Sequence, residues 1–266
     1  MADYLARDDA PLSSEDWEKI DKLVVESARR RLVGRRFIGI TGPLGAGATV
    51  VPKPSMGGFK EGEIAVKKRE NITIPMIQKD FKLHWRDIES AKVYGIPLEL
   101  GPAAGAAAYC AMQEDNMVFN GMEGYEGLLN AEGRTTAEVK DWQVTGNAFQ
   151  NVVAGTEKLM SGGFYGPYAM VVSPSLYAKM HRVYEGTGVL EIAMVKELMT
   201  EGVFQSPAIE GDQAIIVATG KQNMDLVVGE DLTTAYLGAE DMDHPFRVFE
   251  TVVLRIKRPG AICTFE

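Results

Sequence analysis

The first apolar pattern in the chain has a helical period. Trp17, Ile20, Val24, Ala28 and Leu32 form one stripe. Ser13 is a good N-cap with Asp16 three residues on, and Leu12 and Trp17 have the spacing of a hydrophobic staple. Gly34 is the expected stop. Residues 36–41 then read as a short strand running into Gly42-Pro43-Leu44-Gly45-Ala46-Gly47. From there to about Arg69 the sequence is rich in Gly, Pro and charge, with no helical period. A structureless loop of that length is unusual inside a compact domain. Residues 46–70 therefore read as an extended hairpin, an arm that reaches a neighbouring subunit. Strands are expected at 71–77 and 81–85, then a short helix beginning near Asp87. Pro102 opens a helix that runs to Asn120, with Gly121 as its cap. Its first half is rich in Ala on every face, which predicts a spine helix buried at close distance.

The next hundred residues read as α/β. Helices are expected at 136–159, 175–184 and 189–200, and buried strands at 168–172 and 214–218. Gly186-Thr187-Gly188 reads as a turn. The last segment is rich in strands, at 226–228, 233–237 and 246–257. The final one places Phe246, Val248, Val252, Leu254 and Ile256 on one face. There is no internal repeat.

Composition narrows the class. The chain has 266 residues, 45% hydrophobic and 24% charged, and a formal net charge of -9. An acidic chain has no electrostatic case for nucleic acid, because that binding rests on cations neutralising phosphates. The basic runs Arg29-Arg30-Arg31 and Lys67-Lys68-Arg69 read as solvated or subunit-facing patches. The two cysteines, Cys110 and Cys263, make no disulfide framework. The polar, acidic N-terminus has neither the basic start nor the apolar stretch of a signal peptide, and no segment is long and apolar enough for a membrane span. A cytoplasmic protein is expected, with no membrane partner.

Candidate chemistry is sparse. The stretch from Gly42 to Gly47 follows a strand, so it is tested as a phosphate cradle. Pro52 and Pro54 follow too closely for the helix N-terminus such a cradle needs. No Lys stands before a Ser or Thr as in a P-loop. His84, His181 and His244 have no metal-ligand spacing. The carboxylates at Glu114-Asp115 and Asp241–Asp243 read as solvated faces. No catalytic residue and no metal ligand is assigned. A nucleotide-dependent enzyme using the Gly42 to Gly47 loop stays as the alternative.

Several stretches, in order, resemble the encapsulin family, formerly described as linocin-like bacteriocins. They are Ala10-Pro11-Leu12, Trp17 with Ile20-Asp21, Gly34-Arg35-Arg36-Phe37 and Gly42-Pro43-Leu44-Gly45. Glu114-Asp115 through Phe119 and Gly121, Gly127-Leu128-Leu129 and Gly166-Pro167-Tyr168 follow. Gly229-Glu230-Asp231-Leu232 with Tyr236, and Glu250-Thr251, complete the set. The resemblance implies an α+β, tailed-phage capsid-like fold. Its parts would be an N-terminal helix and the start of the peripheral domain at 1–45, the E-loop at 46–70, and the peripheral domain with its spine helix at 71–122. An axial α/β domain at 123–223, then return strands of the peripheral domain and the C-terminus at 224–266, would complete it.

It further implies a shell protein and not an enzyme, one that self-assembles into an icosahedral cage of 60 copies. The cage would enclose a cargo protein through a C-terminal targeting peptide, for iron storage or oxidative-stress defence, with a ferritin-like protein or a peroxidase as cargo. The matching peptide-binding positions are Ile20, Leu23, Val24, Leu32, Phe37 and Ile38. The matching five-fold pore loop holds His181, Tyr184, Glu185, Gly186, Thr187 and Gly188. No cofactor is expected. Some shells hold a flavin on a Trp whose position here is Arg86, with Trp85 one residue earlier and so on the other face of a strand. The family's older label, bacteriocin or protease, finds no signal peptide and no nucleophile–base pair here.

Overall fold

Ser13 caps the first helix as the sequence predicts. Its hydroxyl accepts from the Asp16 N–H, and the Asp16 carboxylate accepts from the Ser13 N–H. This is a computed structural model, describing residues 3–56, 66–184 and 186–266. The first helix, α1 (Ser14–Arg29), turns Trp17, Ile20, Val24 and Ala28 inward. It ends short of Gly34 because a buried carboxylate takes over the chain. Asp115 accepts from the N–H groups of Val33 and Gly34, and a 3-10 turn follows at Gly34–Arg36. The strand expected over 36–41 is thereby cut to β1 (Ile40–Thr41).

The arm is a hairpin. β2 (Val50–Met56) and β3 (Val66–Thr73) pair antiparallel, and with no other strand among the described residues. The stretch 57–65 lies outside the described residues. Beyond Pro75, β4 (Met76–Leu83) takes up parts of both strands expected at 71–77 and 81–85. Trp85 opens α2 (Trp85–Tyr94) instead of closing a strand. The spine helix α3 (Gly101–Asn120) has Pro102 in its first turn, and Ala103, Ala106, Ala107 and Ala111 are all buried. After Gly121 (φ +73) the chain doubles back on the helix end, where Leu128 and Leu129 donate to the carbonyls of Val118 and Phe119. A Cβ on Gly127 would lie 2.2 Å from the Gly121 nitrogen, so only glycine fits this return.

The single helix expected over 136–159 is two elements, β5 (Thr135–Ala137) and α4 (Asn147–Ser161). Between them Trp142 is buried and donates its indole N–H to Asn151 at 2.8 Å. Gly146 (φ +94) turns the chain into α4, whose first N–H groups are met by the buried Glu191 carboxylate through Gly146 and Phe149. The chain continues through β6 (Tyr168–Val172), α5 (Pro174–Lys179), α6 (Glu191–Leu198), β7 (Gly202–Gln205) and β8 (Ala214–Ala218). It ends with β9 (Met224–Val228), β10 (Thr233–Tyr236), β11 (His244–Ile256) and β12 (Ile262–Phe265).

These strands build two five-stranded sheets. The first runs β1-β9-β11-β10, with β4 also on β11. The front of β11 pairs with β4 and β10, and its rear pairs with β9. The second sheet runs β5-β12-β8-β6-β7. The last strand, β12, is one that the sequence pattern does not predict. Instead of returning with its neighbours to the first sheet, β12 lies between β5 and β8 of the second. At the centre of the first sheet Phe246 is fully buried. Its ring meets Trp17 edge-on at 5.7 Å, stacks on Phe81 at 5.3 Å and touches Tyr236 at 5.2 Å.

Candidate functional site

The Glu114-Asp115 pair is not a solvated face. Both residues are buried, and they anchor the segment that joins α1 to β1. Asp115 holds the backbone of Val33 and Gly34, as described above. Burial pushes its carboxyl up to about 7, against those backbone hydrogen bonds, which favour the ionised form. Glu114 faces Arg35, whose guanidinium donates to Glu114, Glu250 and Asp231 at 2.7 Å each. One cation thus serves two carboxyls that are 0% and 1% exposed, with Asp231 on the rim. Burial alone would push the guanidinium down, but the acids around it hold it above its ordinary value. Glu250 is pushed well above the usual carboxylate range by burial and then by the Glu114 charge. Two buried carboxyls against one buried cation thus favour the neutral form of Glu250. The junction ties the α1–β1 connection to α3, β11 and the loop before β10.

Sequence reasoning missed this junction, though one signal was present. Ala107, Ala111, Glu114 and Val118 follow helical spacing on one buried face of α3, and an acid on such a face needs a partner.

The expected peptide-binding stripe is mostly buried within the subunit. Ile20, Val24, Phe37 and Ile38 lie in the subunit's main core, and Leu32 packs with Ala28 and Ala111 in a smaller cluster. Phe37 sits between the rings of Phe119 and Phe204, at 6.5 and 5.9 Å. These side chains are used up within the subunit, and of the six only Leu23 is half-buried. Ile20→Asp is therefore expected to give insoluble or unfolded protein, because it sets a carboxylate among α1 core contacts. Soluble, folded Ile20→Asp protein by circular dichroism would show the position to be open.

The expected pore loop is an exposed turn between α5 and α6. His181, Gly186, Thr187 and Gly188 are exposed and Tyr184 is half-buried, while Glu185 lies outside the described residues. The Tyr184 N–H donates to Val189 O, and the Thr187 hydroxyl donates to Tyr184 O. Gly186 (φ +76) and Gly188 (φ +69) supply the left-handed backbone the turn requires.

At the base of the arm, Asp225 is 1% exposed and accepts from Arg255, Lys257 and Thr41. Burial pushes its carboxyl up, but those donors win and hold it below its ordinary value. Arg255 also donates to the Pro52 carbonyl at 2.8 Å, so the same cation holds the first arm strand. The Gly42 to Gly47 loop leads into β2, not into a helix, and so lacks the N–H cluster a phosphate cradle requires. Burial pushes the thiol of Cys110 up to about 12 and that of Cys263 up to about 11, so neither is poised as a nucleophile. Among the described residues no three His, Cys, Asp or Glu side chains gather as a metal site. The Arg86 guanidinium lies 5.4 Å from the Trp85 ring centroid. No helix among the described residues is long and apolar enough to cross a membrane.

Residues 2–253 match the family described as "Encapsulating protein for peroxidase". The type 1 encapsulin shell protein EncA of Myxococcus xanthus is 48% identical over 279 residues, covering 100% of this chain and 97% of that protein. The chain belongs to the encapsulin shell family. It is a shell protein and not an enzyme. The fold of this encapsulin chain matches a virus-like particle from Pyrococcus furiosus with a TM-score of 0.82 at 23% identity, over 95% of this chain and 100% of that one. It also matches the capsid of the myovirus phage XM1 with a TM-score of 0.64 at 12% identity, over 86% and 88% of the two chains. The tailed-phage capsid-like fold expected from the sequence is the fold the encapsulin chain has.

Proposed function

We propose that this chain assembles into a closed icosahedral shell of 60 copies in the cytoplasm. The shell encloses a separate cargo protein, which enters by a C-terminal targeting peptide. The observation that carries this reading is the end-to-end similarity to a type 1 encapsulin shell protein. A β2–β3 hairpin that pairs only with itself among the described residues supports it, because an arm of that kind gains its packing from a neighbour. Iron storage or oxidative-stress defence is the physiological role, with a ferritin-like protein or a peroxidase as cargo. The family description, which names peroxidase, supports the second. The turn holding His181, Tyr184, Gly186, Thr187 and Gly188 lines the five-fold pore, where its small exposed residues leave room for ions and small substrates.

Co-expression with a peroxidase cargo, with and without its last C-terminal segment, tests the loading step. The intact cargo is expected to co-purify with the particles and the truncated one to be lost. Equal recovery of both would remove the targeting-peptide route.

A further inference from the structure

Two successive non-glycine residues hold left-handed backbone at the tip of the β10–β11 hairpin. Asp241 has φ +50 and Met242 has φ +69. The Glu240 N–H donates to Asp243 O, and the Asp243 N–H donates to Glu240 O, both at 2.9 Å. Asp241 and Met242 are therefore the central residues of a two-residue turn. Such turns favour Asn-Gly or Asp-Gly, because both central positions need positive φ. Asp suits the first position, but Met strains the second, where Gly would fit without steric cost. The tip is nonetheless firmly held. Lys82 pairs with Glu240 at 3.3 Å, and Asp243 accepts from His84 Nδ1 at 2.9 Å and from the Trp85 N–H at 3.2 Å. Met242 is 64% exposed, and Asp241 has no ion-pair partner among the described residues. An apolar side chain kept in water on strained backbone points to a contact outside the subunit.

A surface of matching chemistry lies elsewhere on the same chain. A groove of about 890 Å³ runs between the turn after α1, the open side of α3 and residues 205–210. Tyr109, Met112 and Pro207 give it an apolar lining, and Arg30, Arg31 and Arg36 give it charge. Arg31 donates to the Ser27 carbonyl, and Arg36 donates to the carbonyls of Leu32 and Arg30. None of the three has a carboxylate within ion-pair distance among the described residues. Of the groove's own acids, Asp115 is turned onto the Val33 and Gly34 backbone, which leaves Glu210. The groove is thus cationic with an apolar lining, in a chain whose formal net charge is -9. The arm, with five cations against three carboxylates over 46–70, has the wrong sign to fill it. The tip at 240–243 has the right one, because Asp241 beside Met242 has no ion-pair partner among the described residues.

We propose that this tip on one subunit seats in the arginine groove of a second copy of the chain, Met242 against Met112 and Tyr109, and Asp241 among the guanidinium groups. The inference rests on the shell reading above. Tip and groove are different patches, so the contact is head-to-tail, of the kind that closes into rings.

The test compares assembly of the wild-type chain with that of Met242→Gly, Asp241→Arg, Arg30→Asp and the last two combined. Met242→Gly relieves the turn, so the unfolding temperature of dissociated subunits should hold or rise. The concentration at which half the chain assembles should instead rise at least about tenfold. Each charge reversal alone should raise it to a similar degree, and together they should return it to within about threefold of wild type. Met242→Gly particles forming at the wild-type concentration, or a double reversal no better than either single change, would overturn the contact. Wild-type particles with unaffected variants remove this contact alone. A wild-type chain that forms no particles removes the shell reading, and the contact with it.

Discussion

Arg35→Met is expected to destabilise the subunit by about 3–5 kcal/mol, the usual cost of removing one partner from a buried ion pair. The size follows from what it leaves behind. Glu114 and Glu250 are 0% and 1% exposed, and without Arg35 they face each other with no cation between them. Glu250→Gln should behave in the opposite way. Burial and the neighbouring Glu114 favour the neutral form of Glu250, so an amide of the same shape should change stability by less than about 1 kcal/mol. Its signature is in the pH dependence. A carboxyl raised in the folded state binds its proton more tightly there than in the unfolded chain. Its contribution is complete below the ordinary value of 4.5 and is lost as pH rises towards the folded value. Asp115, raised to about 7, has the same sign between its ordinary value of 3.8 and about 7. Urea unfolding across pH should show stability falling as pH rises from acid through neutral in the wild type, with a smaller slope in Glu250→Gln. Equal slopes would mean that the dyad holds no proton.

Phe246→Ala should cost about 3–5 kcal/mol by opening a cavity at the centre of the first sheet. The ring is fully buried and touches Trp17 of α1, Phe81 of β4 and Tyr236 of β10, so the cavity borders three elements that cannot all close upon it. Phe246→Leu keeps most of the volume and should cost clearly less. Urea unfolding of dissociated subunits measures both. Similar values for the two would mean that this aromatic cluster is loosely packed.

Elements specified by neighbouring residues are legible in the sequence alone. The strands expected at 168–172 and 214–218 match β6 and β8 at both ends, because each is a run of five buried residues. The α1 cap and the bounds of α3 are legible for the same reason, since Ser13, Asp16, Pro102 and Gly121 act locally. What stays hidden depends on distant partners. The helix pattern over 136–159 is broken by Trp142, whose indole needs Asn151, and by Glu191, which meets the start of α4 from far along the chain. β12 has only four residues, and its place is set by β5 and β8 rather than by its own pattern. The junction is the least visible feature. Arg35 meets Glu114 across 79 positions and Glu250 across 215. The stripe on α1 is apolar, as its period predicts, and most of it serves the subunit's core. Periodicity shows that a face will be covered, and here the subunit's own α3 and first sheet cover it.

The shell reading is most directly tested by electron microscopy of this chain expressed alone and purified by size exclusion. Uniform hollow spheres are the predicted result, and they would direct the search for chemistry to the enclosed partner. Particles no larger than monomers or dimers of the 29.1 kDa chain, across ordinary salt and pH, would contradict it.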